Sequence, residues 1–382
     1  MRATESSVRP VGDQCPGHAM IRADRLTHAC SRRRWRRTTM PNRRWRAGVV
    51  KSAGTILPVH ILLIVLPLAT SAATHAQIVE VPMARSAADI PTAVVVRGPW
   101  GDAPGQFGKN DEASRPGPMD FVAIGGRLYV LDPVNARVQV FRNDGSFERQ
   151  VAIGTHTADF LAVERNGDMV VMDAFVKRQI IVFSTDGKPH TRCGIPAAIQ
   201  LPSAIFLDGE RILIEDRHDR VFELALPTGG RADTASTVRA FAGRPDAAGT
   251  GVRHARKANG HDVALHAPLS PSADDPITLR FPREVQSIVA LESDDSGRSY
   301  LAVTCPTAGS ADEWRTDIVV IVIASDGTVV STLQMPNHYV TDHYRKLAVS
   351  ESGDIIQMQT TEDEVRFVRW TVQPESGKGG AQ

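Results

Sequence analysis

Three carboxylate–arginine pairs recur along the chain at one spacing: Asp132 with Arg137, Asp173 with Arg178, and Glu215 with Arg220. Such pairs have two uses. Set around the entrance of a channel, the three arginines would capture a charged ligand through their fork of N–H donors. Set where one strand ends and the next begins, carboxylate and guanidinium bridge the connecting turn, and repetition in successive units is what that structural role predicts. Arg137, Arg178 and Arg220 are thus candidate binding residues whose repetition points first to architecture.

Two other groups invite a chemical reading. His254, His261 and His266 lie close together, with His338 and His343 further on, and imidazole is the commonest metal ligand. The first three are candidate metal ligands, although their spacing matches no compact motif such as H-E-x-x-H and suits exposed loop histidines equally. The stretch 100–121, WGDAPGQFGKNDEASRPGPMDF, is punctuated by glycine and proline and carries Trp100, Phe107 and Phe121. An exposed loop with aromatic anchors can be a recognition surface, which makes Trp100 and Phe107 candidate binding residues; the alternative is that the loop packs over one end of the fold. No G-x-S-x-G, phosphate loop or cysteine–histidine arrangement is present. No catalytic residue is assigned.

The elements that must position these groups form a repeat. One unit, MDFVAIGGRLYVLDPVNARVQVFRNDGSF, begins after Pro118, and a second, ADFLAVERNGDMVVMDAFVKRQIIVFSTDGK, begins at Ala158. Both hold Asp-Phe (120–121, 159–160), a glycine turn, an apolar strand ending in Asp, an Arg five positions on, and an Asp-Gly turn (144–145, 186–187). Each unit has three short apolar strands and room for a fourth, at a period of roughly 42 residues that suits four-stranded propeller blades. A looser third copy carries Gly209, Glu215 and Arg220 in register. The stretch 237–281, with VRAFAG, DVALHA and ITLRF, reads as a degenerate fourth blade with a long exposed loop. Two more units follow, one around Asp326-Gly327 with an insertion holding Trp314, the other around Gly353. The fold class is therefore all-β: a β-propeller, most simply of six four-stranded blades, with AVVVR (93–97) available to complete the last blade and close the ring.

The first two units resemble the NHL-repeat family, through Leu128-Tyr129-Val130-Leu131-Asp132, Asn135, Arg137-Val138-Gln139-Val140-Phe141 and Asp144-Gly145. The resemblance is close over 118–188, looser to Leu226, and architectural beyond. It implies a propeller and little about activity, since the family includes binding scaffolds and a few enzymes. A zinc-dependent lyase of amidated-peptide precursors and calcium-dependent lactonases share the fold. Zinc or calcium are the cofactors the resemblance would allow, and no lactonase-type Glu, Asn and Asp set is identifiable.

Charge and hydropathy set the address. The chain has 44 basic and 43 acidic residues, but arginines crowd the first fifty positions and leave the rest net acidic. After them comes ILPVHILLIVLPLA (56–69), then small residues up to Ala76. A basic n-region, a short apolar core and a small-residue site make a secretory signal peptide. The core is shorter than the ~20 residues of a spanning helix. The expected organisation is a mis-assigned upstream leader or extended n-region over 1–39, since Met40 offers a simpler start, and a signal peptide over 40–76. A linker and entry strand (77–117), the propeller (118–373) and a flexible tail (374–382) follow. Cleavage falls after Ala76 or Ala73, and the product is periplasmic or secreted, without stable membrane insertion. Cys193 and Cys305 remain, in distant repeats, and are expected as two separate buried thiols. An acidic mature domain without an interleaved basic and aromatic face excludes nucleic acid as a partner. The expectation is a monomeric binding or scaffold protein for an unknown protein or small-molecule ligand. The alternative is a metal-dependent hydrolase or lyase with its site in the channel.

Overall fold

A computed structural model describes residues 77–111, 115–227, 234–247, 252–267, 276–309, 315–337 and 339–373. The leader, the signal segment, the C-terminal tail, Trp314 and His338 lie outside the described residues. Among the described residues the chain forms six sheets, five of four antiparallel strands and one of five strands with a single parallel pairing, and its only helical pieces are two short 3-10 turns. This is a six-bladed β-propeller.

The first blade comprises Asp120–Ile124, Arg127–Asp132, Arg137–Arg142 and Phe147–Ala152. Its sequence alternates as a strand between two packed layers must. Tyr129, Leu131, Val138 and Val140 pack towards the second blade, while Leu128, Val130 and Phe141 pack towards the last. The second blade (Phe160–Val163, Met169–Asp173, Gln179–Phe183, Pro189–Gly194) repeats the arrangement. The third is Pro202–Asp208, Arg211–Asp216, Arg220–Ala225 and Ser236–Ala242. VRAFAG therefore belongs to the third blade as its outer strand, not to the fourth. Arg220–Ala225 still had an unpaired edge, and this segment fills it.

The fourth blade makes up the loss from elsewhere. It holds Arg244–Pro245, Val252–Lys257, Asp262–His266 and Ile277–Arg280, and its outermost strand is Ile78–Glu80, paired in parallel. The fifth blade is Ser287–Ser293, Ser299–Pro306, Thr316–Ile323 and Val329–Pro336. The sixth is Leu347–Val349, Ile355–Thr360 and Glu364–Trp370, completed by Thr92–Pro99. The strand AVVVR thus closes the ring as its sequence suggested, removing one exposed sheet edge. The segment before it is more than a linker. It completes the fourth blade, crosses the fifth through backbone hydrogen bonds of Arg85 with Thr332 and Gln334, and reaches the sixth.

Apolar clusters fill the seams between blades 1 and 2, 2 and 3, 4 and 5, 5 and 6, and 6 and 1. No such cluster lies between blades 3 and 4 among the described residues. There the outer strand of blade 3 is exposed along most of its length, and the crossing contacts include an ion pair, Arg244 with Glu215 at 2.7 Å, and Arg244 over the Phe206 ring at 5.7 Å. Cys193 and Cys305 are free and buried in separate seams, and burial pushes both thiols up.

Candidate functional site

Each inner strand begins at one end of the ring, called here the upper end, where the links between blades and the second-to-third-strand turns also gather. At the lower end the first hairpin turns of the blades surround a cavity of about 350 Å³. A smaller cavity of about 50 Å³ opens at the upper end, lined by Asp120, Phe160, Ser203, His218, Tyr344 and Arg345, among others. Arg244 and Glu292 line both cavities, so they mark the waist of the channel.

The waist is held by two arginines. Arg345 Nε reaches Asp120 Oδ1 at 2.7 Å and Arg345 Nη1 reaches Glu292 Oε1 at 3.3 Å. Arg244 grips both oxygens of Glu215 at 2.7 and 2.9 Å and donates to the Leu291 carbonyl at 3.3 Å. Burial pushes Glu215 up, but hydrogen bonds from His218 and Arg244 outweigh it and hold the carboxyl at about 2. Asp120 is raised by burial against the pull of Arg345, and it also accepts from the N–H groups of Phe121 and Leu161 at 2.7 and 2.8 Å. The first Asp of the Asp-Phe repeat therefore ties blade 1 to blade 2.

Beside the waist lies an aromatic cluster. The segment 339–346, between the fifth and sixth blades, runs over the start of blade 1, where Tyr344 N–H donates to the Met119 carbonyl at 2.8 Å. The Tyr344 ring stands 4.7 Å from Phe160 and 5.9 Å from Phe175, both of blade 2. Phe175 is 45 % exposed and Tyr344 47 %, and Val176 and Leu201 are exposed at the same end. Below the rings, Asp159 accepts from the Ala174 N–H at 2.7 Å and from the Tyr344 hydroxyl. Burial, with Asp173 nearby, raises Asp159 to about 6. Burial and the Asp159 charge push Tyr344 up to about 12.

The residues singled out by sequence fall elsewhere. The carboxylate–arginine spacing forms its ion pair once, Arg137 with Asp132 at 3.0 Å, because those two residues face each other across adjacent strands. In blade 2 the turn is one residue longer: Asp173 faces Gln179, and Arg178 stays in the turn at φ 49. Arg178 donates instead to the carbonyls of Ala174 and Ile199 at 3.3 and 2.6 Å. In blade 3 the turn is shorter, so Arg220 faces Asp216 and lies 5.4 Å from the Phe222 ring, while Glu215 takes Arg244. Three equivalent ion pairs were expected; unequal turn lengths allow one.

Trp100 and Phe107 belong to the closure of the ring. Phe107 is fully buried between blades 6 and 1 with Phe141 and Phe367, and Trp100 Nε1 donates to the Thr361 carbonyl at 3.1 Å. A Cβ at Gly98 would lie 2.1 Å from the Gly105 carbonyl, so glycine alone lets strand and loop meet. The loop packs into that seam and lines none of the channel cavities described above.

His254 and His266 face each other across two strands, with ring centres 6.1 Å apart. His261 sits at the far end of the same hairpin, its Nδ1 3.0 Å from the Phe281 carbonyl. No group of three or more metal-ligating side chains occurs among the described residues. His343 packs on Tyr339, and burial lowers it to about 4. Sequence reasoning passed over Arg345, Arg244, Glu292 and Tyr344. A basic residue followed by a strand was visible at Arg345, but its partners Asp120 and Glu292 are remote in sequence.

No known family matches the chain, and no curated protein does. Solved structures with a similar fold include a DUF4221 family member from Bacteroides vulgatus, at 9% identity over 75% of this chain and 99% of that one, with a TM-score of 0.45. BamB from Moraxella catarrhalis gives 10% identity over 73% and 100%, TM-score 0.36. Hydrazine synthase from Kuenenia stuttgartiensis gives 13% over 67% and 76%, TM-score 0.41. Likeness at this level concerns the fold alone.

Proposed function

We propose that this chain is an exported propeller of the NHL type that works as a binding module, and that its ligand docks at the upper mouth of the channel. The observation carrying this reading is the distribution of exposed apolar surface. Of the nine large hydrophobic side chains exposed among the described residues, Phe175, Val176, Leu201 and Tyr344 share that end, and they include both exposed aromatics. Scattered exposed hydrophobes need no explanation, whereas grouped ones with aromatic members are the composition of contact surfaces.

Two larger cavities compete on volume. In the lower mouth the charged groups bind one another: Arg165 with Asp295 and Glu351, Arg253 with Asp246, Arg298 with Asp294. The wedge of about 420 Å³ between blades 1 and 6 is rimmed by Arg127 and Arg142, which share Glu148. Neither presents exposed aromatic rings. The waist arginines are likewise engaged by carboxylates, so the upper mouth is organised for docking rather than for holding a reactive group.

A fragment screen by thermal shift tests the proposal. Apolar fragments should raise the melting temperature, since a ligand at 100 Kd stabilises by roughly 2.7 kcal/mol. Tyr344→Ser and Phe175→Ser should abolish the effect. Hits that keep their full effect in both variants would place the binding face elsewhere.

A further inference from the structure

Gln77 is exposed, and its side-chain amide makes no hydrogen bond among the described residues. Its backbone, in contrast, already belongs to the fold. The Gln77 carbonyl accepts the Thr278 N–H at 2.8 Å, which opens the parallel pairing of Ile78–Glu80 with Ile277–Arg280. Just beyond, Val81 donates to the Arg280 carbonyl at 2.8 Å and is buried among the apolar side chains that join blades 4 and 5. No slack separates Gln77 from the residues that complete blade 4.

Resting on the export reading above, with the cut after Ala76, we propose that Gln77 is a modification site: it cyclises to a pyroglutamyl lactam. Its own α-amino nitrogen attacks the side-chain carbonyl carbon, Cδ. A C–N bond forms and closes a five-membered ring, and the bond from Cδ to Nε2 breaks. An amine proton passes to the departing nitrogen, which leaves as ammonia, so the step needs no oxidant, reductant or co-reactant. The attack requires the uncharged amine, and an α-amino group titrates at about 7.7–8.0, which leaves a reactive fraction at neutral pH. It also requires a side chain free to fold back on its own nitrogen, and the exposed, unbonded amide is so. The main-chain carbonyl takes no part, so its bond from Thr278 survives the reaction.

The position of Gln77 gives the lactam its use. A three-residue edge strand at a chain terminus is the part of a sheet that frays most readily, and aminopeptidases begin at such an end. Trimming through Val81 would strip the outer strand from blade 4 and remove an apolar side chain from its seam with blade 5. A lactam presents no free amine to these enzymes and so guards the segment. A cut after Ala73 would instead expose Thr74, which has no side-chain amide to close on.

The test is tandem mass spectrometry of the N-terminal peptide after the full chain is expressed with its leader, beside a Gln77→Ser variant. Mass spectrometry is the readout because a lactam blocks Edman degradation. The parent peptide should begin at residue 77 and weigh one ammonia less than its sequence requires, while the variant should show its full mass. A broad aminopeptidase should leave the parent intact and trim the variant, and prior treatment with pyroglutamyl peptidase should make the parent equally sensitive. A terminus at Gln77 that keeps its full mass after incubation at neutral pH would overturn this inference and leave export by cleavage in place. Equal resistance of parent and variant to the aminopeptidase would overturn the protective role, since strand pairing alone would then suffice. A terminus at Thr74, or an intact leader, would overturn the lactam together with the cut on which it rests.

Discussion

Arg137→Ala and Arg178→Ala should differ sharply, although sequence places both residues at the same position of the repeat. Arg137 is buried beside a fully buried Asp132, their side chains 6% and 0% exposed. Besides that ion pair it donates to the carbonyls of Asp102, Ala103 and Gln106 and to Gln150 Oε1, at 2.7 to 3.2 Å. Truncation leaves Asp132 with Asn135 Nδ2 at 2.9 Å and the Gly108 N–H at 3.1 Å and no cation. It also removes one donor from each of three carbonyls of the 101–107 loop, of which Ala103 keeps the Gln106 N–H at 3.0 Å and Gln106 keeps Gln139 Nε2 at 2.6 Å. Breaking a buried pair costs about 3–5 kcal/mol. With an unfolding entropy of about 2.1 cal/mol/K per residue, the propeller residues together give roughly 0.6 kcal/mol/K, so melting should fall by about 5–8 °C. Among the described residues Arg178 makes two bonds to carbonyls and no ion pair, so its loss should cost about 1–2 kcal/mol, or 2–3 °C. Differential scanning calorimetry of both variants decides the matter. Equal shifts would refute the argument that turn length, not spacing, sets the pairing.

Asp159→Asn should flatten part of the pH dependence of stability. The folded carboxyl titrates at about 6 and the unfolded one near 3.9. The folded state therefore holds more protons between about pH 4 and 6, and stability falls as pH rises through that window. At pH 7 the ionised group costs ~3 kcal/mol, so the variant's urea midpoint should gain on the parent's between pH 4 and 7; a constant difference would show that Asp159 is not raised. Val81→Asp would place a charge among the buried residues joining blades 4 and 5, costing several kcal/mol, and hydrogen exchange should quicken first over 262–280. Unaltered exchange there would mean that the N-terminal segment does not complete blade 4. N-terminal sequencing of the exported chain should begin at Gln77 or shortly before; an intact leader in a membrane fraction would reject export by cleavage.

Blades 1 and 2 were legible because local chemistry repeats in them. Strands of four to six residues are cut by Asp-Gly turns whose glycines stand at φ 84 and 80. Blade 4 was not, since its outer strand comes from the far N-terminus and VRAFAG satisfies blade 3 first. The carboxylate–arginine spacing misled because strand pairing is counted from the turn: Asp132 meets the fifth residue on, Asp173 the sixth, and Asp216 the fourth. The candidate site was almost invisible. Tyr344 and Arg345 lie in a link between blades, outside the repeat, and they gain meaning only when the ring brings them to Phe160 and Asp120.

Crystals of the chain from Gln77 onward soaked with a diverse fragment set would test the central claim most directly. The binding-module account predicts that bound fragments concentrate on Phe160, Phe175 and Tyr344 at the upper mouth. Concentration instead at the lower mouth around Glu164, Asp295 and Glu351, or in the wedge between blades 1 and 6, would contradict it.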